Sequence, residues 1–147
     1  MITYTLDDID ALGAKIAAVL KPGDAIALSG ELGAGKTSLA RAILAALGLQ
    51  GEAPSPTFAI VQPYAPPEVR MPVLHCDLYR IDDPEDTLEL GLDEERSDSV
   101  LLIEWAERMG AYAWQDMLWI TVDFAGDGAR RLTAKLPKAW EGRWPFQ

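Results

Sequence analysis

Ala25-Ile26-Ala27-Leu28-Ser29, followed without a break by Gly30-Glu31-Leu32-Gly33-Ala34-Gly35-Lys36-Thr37, decides the fold of this chain. The first five residues are a short, continuously apolar run, as expected of a strand buried on both faces. The next eight match G-x-x-x-x-G-K-[ST] at every fixed position. Lys36 to Leu47 then reads as a helix ended by Gly48. A loop that wraps phosphates must turn its backbone N–H groups inward, through conformations and close approaches that glycine permits. The helix behind it adds unpaired N–H groups and the positive end of its dipole. On this reading Gly30, Glu31, Leu32, Gly33, Ala34, Gly35, Lys36, Thr37 and Ser38 cradle the phosphates of a nucleoside triphosphate. Lys36 reaches the β- and γ-phosphates and the Thr37 hydroxyl serves Mg2+. A glycine-rich turn with an incidental lysine is the bland alternative, and it leaves the flanking strand and helix unexplained.

Outward from that core, residues 2–5 predict a short strand and Leu6 to Leu20 a helix, with Ile9, Leu12, Ile16, Val19 and Leu20 at helical spacing. Thr57 to Tyr64 and Val69 to Asp77 predict two strands of a hairpin. Asp83-Pro84 followed by Glu85 to Leu90 predicts a short helix with proline in its first turn. Ser99 to Ile103 is a second buried strand, and Met117 to Phe124 with Arg130 to Leu136 a second hairpin. No internal repeat or linker interrupts this order, so residues 1–147 form a single three-layer α/β domain, with 137–147 as a tail of no clear period. The safer expectation for Trp140 and Trp144 in that tail is packing back onto the sheet.

A phosphate loop needs an acidic residue at the end of a neighbouring strand, and two are present. Glu104 closes the very apolar Ser99-Val100-Leu101-Leu102-Ile103, which suits a central strand beside the loop and a role with Mg2+, directly or through water. Asp77 closes Met71-Pro72-Val73-Leu74-His75-Cys76 and would orient the attacking water or sense the γ-phosphate through Thr37. Each could also be an ordinary acid at a strand end. Lys36, Asp77 and Glu104 are the candidate catalytic residues, and Thr37 and Glu104 the candidate metal ligands. His75 and Cys76 read as core residues within a strand. Trp105 either packs in the core or lies near the nucleotide.

Thirteen basic against twenty-three acidic residues leave a net charge of −10, without the basic footprint of a free-standing nucleic-acid binder. Hydrophobic and charged contents of 49% and 24% are those of a soluble globular protein. One cysteine allows no internal disulfide. With no apolar run long enough for a membrane and no signal-peptide pattern at the N-terminus, the cytoplasm is the expected compartment.

The order of Gly30 to Thr37, then Ser55-Pro56-Thr57-Phe58, then His75-Cys76-Asp77-Leu78-Tyr79-Arg80, then Glu104-Trp105 resembles the TsaE (YjeE) family over about residues 2–124. The second and third stretches are far more specific than the phosphate loop. Two positions depart from the family pattern: Ala106 stands where proline usually follows the Glu-Trp pair, and Cys76 where a bulkier apolar residue is common. The resemblance implies a P-loop NTPase fold with a mixed sheet and weak ATPase activity alone. It further implies action with the TsaB–TsaD heterodimer in threonylcarbamoyl transfer to adenosine 37 of tRNA, the tRNA being touched only through the partners. By the same resemblance Thr37 and Glu104 serve Mg2+, Lys36 the phosphates of ATP, and Asp77 hydrolysis or switching. Ser55 and Thr57 would lie in a switch-like segment. A small-molecule kinase is the rival reading. It needs an arginine-bearing lid, for which Leu78 to Val100 offers only Arg80 and Arg96.

Overall fold

A computed structural model describes residues 2–31, 33–51 and 61–146. Among the described residues, seven strands form one mixed sheet in the order β1-β7-β6-β2-β5-β4-β3. They are β1 (Ile2–Tyr4), β2 (Ala25–Ser29), β3 (Val61–Tyr64), β4 (Val73–Asp77), β5 (Val100–Glu104), β6 (Leu118–Gly126) and β7 (Ala129–Lys135). The apolar run ahead of the phosphate loop is the middle strand, parallel to β5 on one side and to β6 on the other. β4 is parallel to β5, whereas β3, β7 and β1 join by antiparallel pairing. Pro63, which has no N–H to donate, is tolerated because β3 is the edge strand.

Helices α1 (Ile9–Ala17) and α2 (Lys36–Ala46) cover one face of the sheet, and their buried residues Leu12, Ile16, Leu39 and Ile43 meet Ile26, Leu28, Val100, Leu102 and Ile120. The two helices approach so closely that a β-carbon at Gly13 would lie 2.6 Å from the Ala42 carbonyl carbon. The opposite face carries Ala25, Ala27, Leu101 and Ile103. It is covered by 3-10 turns at Pro84–Leu90 and Ala106–Tyr112 and by α3 (Leu92–Arg96). Strict alternation along β2 and β5 thus feeds two cores from one continuous apolar run.

Several boundaries shift from the sequence expectation. The helix expected from Leu6 begins as a 3-10 turn at Leu6–Asp8, where the Thr5 N–H donates to Asp8 Oδ2 at 3.1 Å, and becomes α-helical at Ile9. β4 starts at Val73, after Pro72, rather than at Val69. Residues 57–60 of the expected strand before Tyr64 lie outside the described residues. The tail folds back: Trp140 and Trp144 are buried in the α1–α2 core. Arg143 grips both carboxylate oxygens of Asp24 at 3.0 and 2.7 Å and donates to the Val19 carbonyl.

Candidate functional site at the phosphate loop

The loop leaves β2 at Gly30 with φ 129°, and a β-carbon there would stand 2.0 Å from the Val122 carbonyl oxygen on β6. No other residue type fits both that conformation and that contact. At its far end Gly35 caps α2 in the left-handed conformation, with no side chain occupying the helix N-terminus. The first N–H groups of α2 have no intrahelical acceptor, an arrangement that suits an anion. Leu32, and Ser55 to Phe58 of the expected switch-like segment, lie outside the described residues.

Lys36 is 5% exposed, with its Nζ donating to the Gly30 carbonyl at 2.8 Å. The same ammonium sits 3.9 Å from the centroid of the Trp105 ring. Trp105 holds that position with φ 60° and ψ 38°, a left-handed conformation that costs a tryptophan roughly 1–3 kcal/mol. The turn after Glu104, where the family's usual proline is replaced by Ala106, therefore aims an indole face at the loop lysine. Tyr79 packs on Trp105 at 4.9 Å.

Parallel pairing of β4 and β5 puts Asp77 opposite Glu104 and His75 opposite Leu102. Residues two apart on a strand share a face, so His75, Asp77 and Glu104 all lie on the side covered by α2. Glu104 is 2% exposed, and both its oxygens are engaged. Oε1 accepts from the Thr37 hydroxyl at 2.7 Å, and Oε2 accepts from His75 Nε2 at 2.7 Å. His75 is fully buried, and its Nδ1 has no hydrogen-bond partner among the described residues. Asp77 accepts from the Tyr79 N–H at 2.9 Å. Burial raises its carboxyl above the usual value, the Tyr79 N–H opposes that rise, and the nearby Glu104 charge adds to it.

The site bonds Thr37 to Glu104 and holds Lys36 on the Gly30 carbonyl of the same loop, with Asp77 on the adjacent strand end. One contributor was read differently from sequence and another was not singled out. His75, read there as a core residue, is the donor that fixes Glu104. Arg130, on β7, donates from Nε to the Ala34 carbonyl at 2.9 Å. Because a trans peptide sets C=O and N–H on opposite sides, holding that carbonyl turns the Gly35 N–H the other way. The His-x-Asp spacing of His75-Cys76-Asp77 at a strand end was the available signal for His75; none existed for Arg130, 96 residues from its partner.

Thr37 donates its hydroxyl hydrogen to Glu104, which leaves the oxygen lone pairs free for a cation. A hydroxyl and a carboxylate are hard oxygen donors and fit Mg2+. Among the described residues no three His, Cys, Asp or Glu side chains gather to cage an ion. The arrangement suits a cation shared with phosphate oxygens.

The family model for "Threonylcarbamoyl adenosine biosynthesis protein TsaE" matches residues 3–132. A tRNA threonylcarbamoyladenosine biosynthesis protein TsaE of Streptomyces coelicolor is 42% identical over 120 residues, covering 80% of this chain and 81% of its own. Its Bacillus subtilis counterpart is 36% identical over 132 residues, 89% of this chain and 81% of its own. The crystal structure of Bacillus subtilis YdiB superposes with a TM-score of 0.79 at 30% identity, over 96% of this chain and 89% of that one. With a family model spanning nearly its whole length and a phosphate loop seated between two parallel strands, the chain belongs to the TsaE family of tRNA threonylcarbamoyladenosine biosynthesis proteins.

Proposed function

We propose that this chain binds ATP with Mg2+ on the Gly30–Ser38 loop and hydrolyses it, slowly alone and faster with a TsaB–TsaD partner. In doing so it would support threonylcarbamoyl transfer to adenosine 37 of tRNA in the cytoplasm. The observation that carries the reading is the chain of bonds from Thr37 through Glu104 to His75 at the N-terminus of α2. It presents one hydroxyl and one oriented carboxylate where the terminal phosphates would lie.

In this reading the N–H groups of Gly35 to Ser38 bind the β-phosphate, and Lys36 leaves the Gly30 carbonyl to neutralise the β- and γ-oxygens. Thr37 and Glu104 would hold Mg2+, which supplies charge neutralisation of the phosphates when bound. His75 keeps Glu104 from rotating. Asp77, on the next strand end, accepts a hydrogen bond from the attacking water or follows the γ-phosphate. Such groups act mainly in the transition state, so their loss lowers turnover more than binding. The acidic surface leaves tRNA contact to the partners, and among the described residues no helix is long and apolar enough to cross a membrane.

A kinase lid is poorly supported. Arg96 is bound to Asp116 at 2.7 Å and to the Gly23 carbonyl, at the N-terminal end of β2 and away from the loop. The deciding experiment is phosphate release from ATP with and without TsaB–TsaD, beside Lys36→Ala. Stimulation that disappears in Lys36→Ala supports the proposal. No stimulation by partners shown to be active rejects the partner-dependent ATPase.

A further inference from the structure

We propose that Phe124, backed by Arg130, is the stacking platform for a purine base of the bound nucleotide. This inference rests on the nucleotide reading above and deepens it. Ligands of open α/β sheets lie across the carboxyl ends of the strands at the point where strand order diverges. Here that point is β2, between β5 and β6. Glu104 and Asp77 commit the β5–β4 flank to the terminal phosphate, which leaves the β6–β7 flank to the nucleoside.

Four observations meet on that flank. The start of the loop lies directly on β6, since a β-carbon at Gly30 would touch the Val122 carbonyl. Val122 and Phe124 share a face of β6; Val122 is buried, and Phe124, at the rim, is 47% exposed. Arg130 is the register partner of Phe124, with its guanidinium 4.6 Å from the ring centroid and its Nε on the Ala34 carbonyl of the loop. Leu6, 58% exposed, follows β1, whose carboxyl end lies on the same rim because β1 and β6 both pair antiparallel with β7. An aromatic face braced by a cation that also holds the phosphate loop is suited to a flat, polarisable ring. Stacking reads a π-face and its area, not a hydrogen-bond pattern. It favours purines over pyrimidines and does not separate adenine from guanine.

The test measures equilibrium binding of ATP, CTP and inorganic tripolyphosphate, each with Mg2+, to the whole chain and to Phe124→Ala, Phe124→Trp and Lys36→Ala, with melting curves showing each variant folded. Phe124→Ala should weaken ATP about tenfold or more and tripolyphosphate by less than about twofold. Phe124→Trp should keep ATP affinity, and wild type should bind CTP more weakly than ATP. If Phe124→Ala leaves ATP unchanged, or weakens ATP and tripolyphosphate equally, the platform is overturned. The nucleotide site survives that result provided Lys36→Ala weakens both ligands. If Lys36→Ala weakens neither, the nucleotide reading falls, and the platform with it.

Discussion

Replacing His75 by leucine separates the orienting role of this histidine from its place in the core. The bond from Nε2 to Glu104 Oε2 is 2.7 Å long between side chains that are 0% and 3% exposed. A buried hydrogen bond to a charged acceptor is worth about 1.5–3 kcal/mol. Against that loss stands the His75 Nδ1, buried with no hydrogen-bond partner among the described residues. Leucine removes this orphan, whose burial costs about 1–3 kcal/mol. The two terms nearly cancel, so the net destabilisation should be about 0–2 kcal/mol, a melting shift of at most about 8 °C for a chain of this size. Turnover should respond very differently. Glu104 would keep only the Thr37 hydroxyl, and loss of such an orienting partner lowers activity about 10–100-fold. The assay pairs thermal melting with phosphate release titrated against ATP in the presence of TsaB–TsaD, and includes His75→Gln, whose amide N–H can replace Nε2. The expected result is kcat lost in His75→Leu, partly recovered in His75→Gln, with KM little moved. Wild-type kcat in a folded His75→Leu protein would refute the orienting role.

Three further expectations follow from the same contacts. Burial raises the Asp77 carboxyl, so the native state holds that proton more tightly than the unfolded chain, and stability declines as pH rises above the ordinary carboxylate range. Asp77→Asn should therefore melt higher than wild type near neutral pH while losing turnover; the stability gap should close in acid, and a gap that widens there contradicts the sign. Arg143→Ala leaves the buried Asp24 carboxylate without its cation, holding only the Lys21 N–H at 2.8 Å, and should cost up to about 3–5 kcal/mol in urea unfolding; a cost below about 1 kcal/mol would mean the pair behaves as a surface contact. Cys76 is fully buried with its thiol pushed up to about 12, so alkylation near neutral pH should rise only across the unfolding transition; rapid labelling of the native protein would contradict this.

The loop, its helix and the placement of Glu104 beside it were readable from sequence because each signal is local. Five apolar residues, spaced glycines and one acid at a strand end need no tertiary information. The hairpins were readable for the same reason. What escaped depends on register and long-range contact. His75 reaches Glu104 only because β4 pairs with β5 so that residue 77 faces 104, and a one-residue slip would turn it to the other face. Arg130 acts on a carbonyl at the far end of the chain order. The 3-10 turns and α3 that cover the second face are too short for helical periodicity to show, and packing sets their ends.

The central position of β2 also bears on how the chain comes into being. Both of its neighbours are encoded after the midpoint, and Asp24, just ahead of it, is closed by Arg143 near the C-terminus. During synthesis at about 5–20 residues per second, the 75 residues from Ser29 to Glu104, the end of its first neighbour, take on the order of 4–15 s to follow. For that time the apolar strand has no edge to join, and the nascent chain exposes it to chaperones or to other chains. Folding must then be late and cooperative, with no N-terminal half able to close on its own, as expected where non-local pairings dominate.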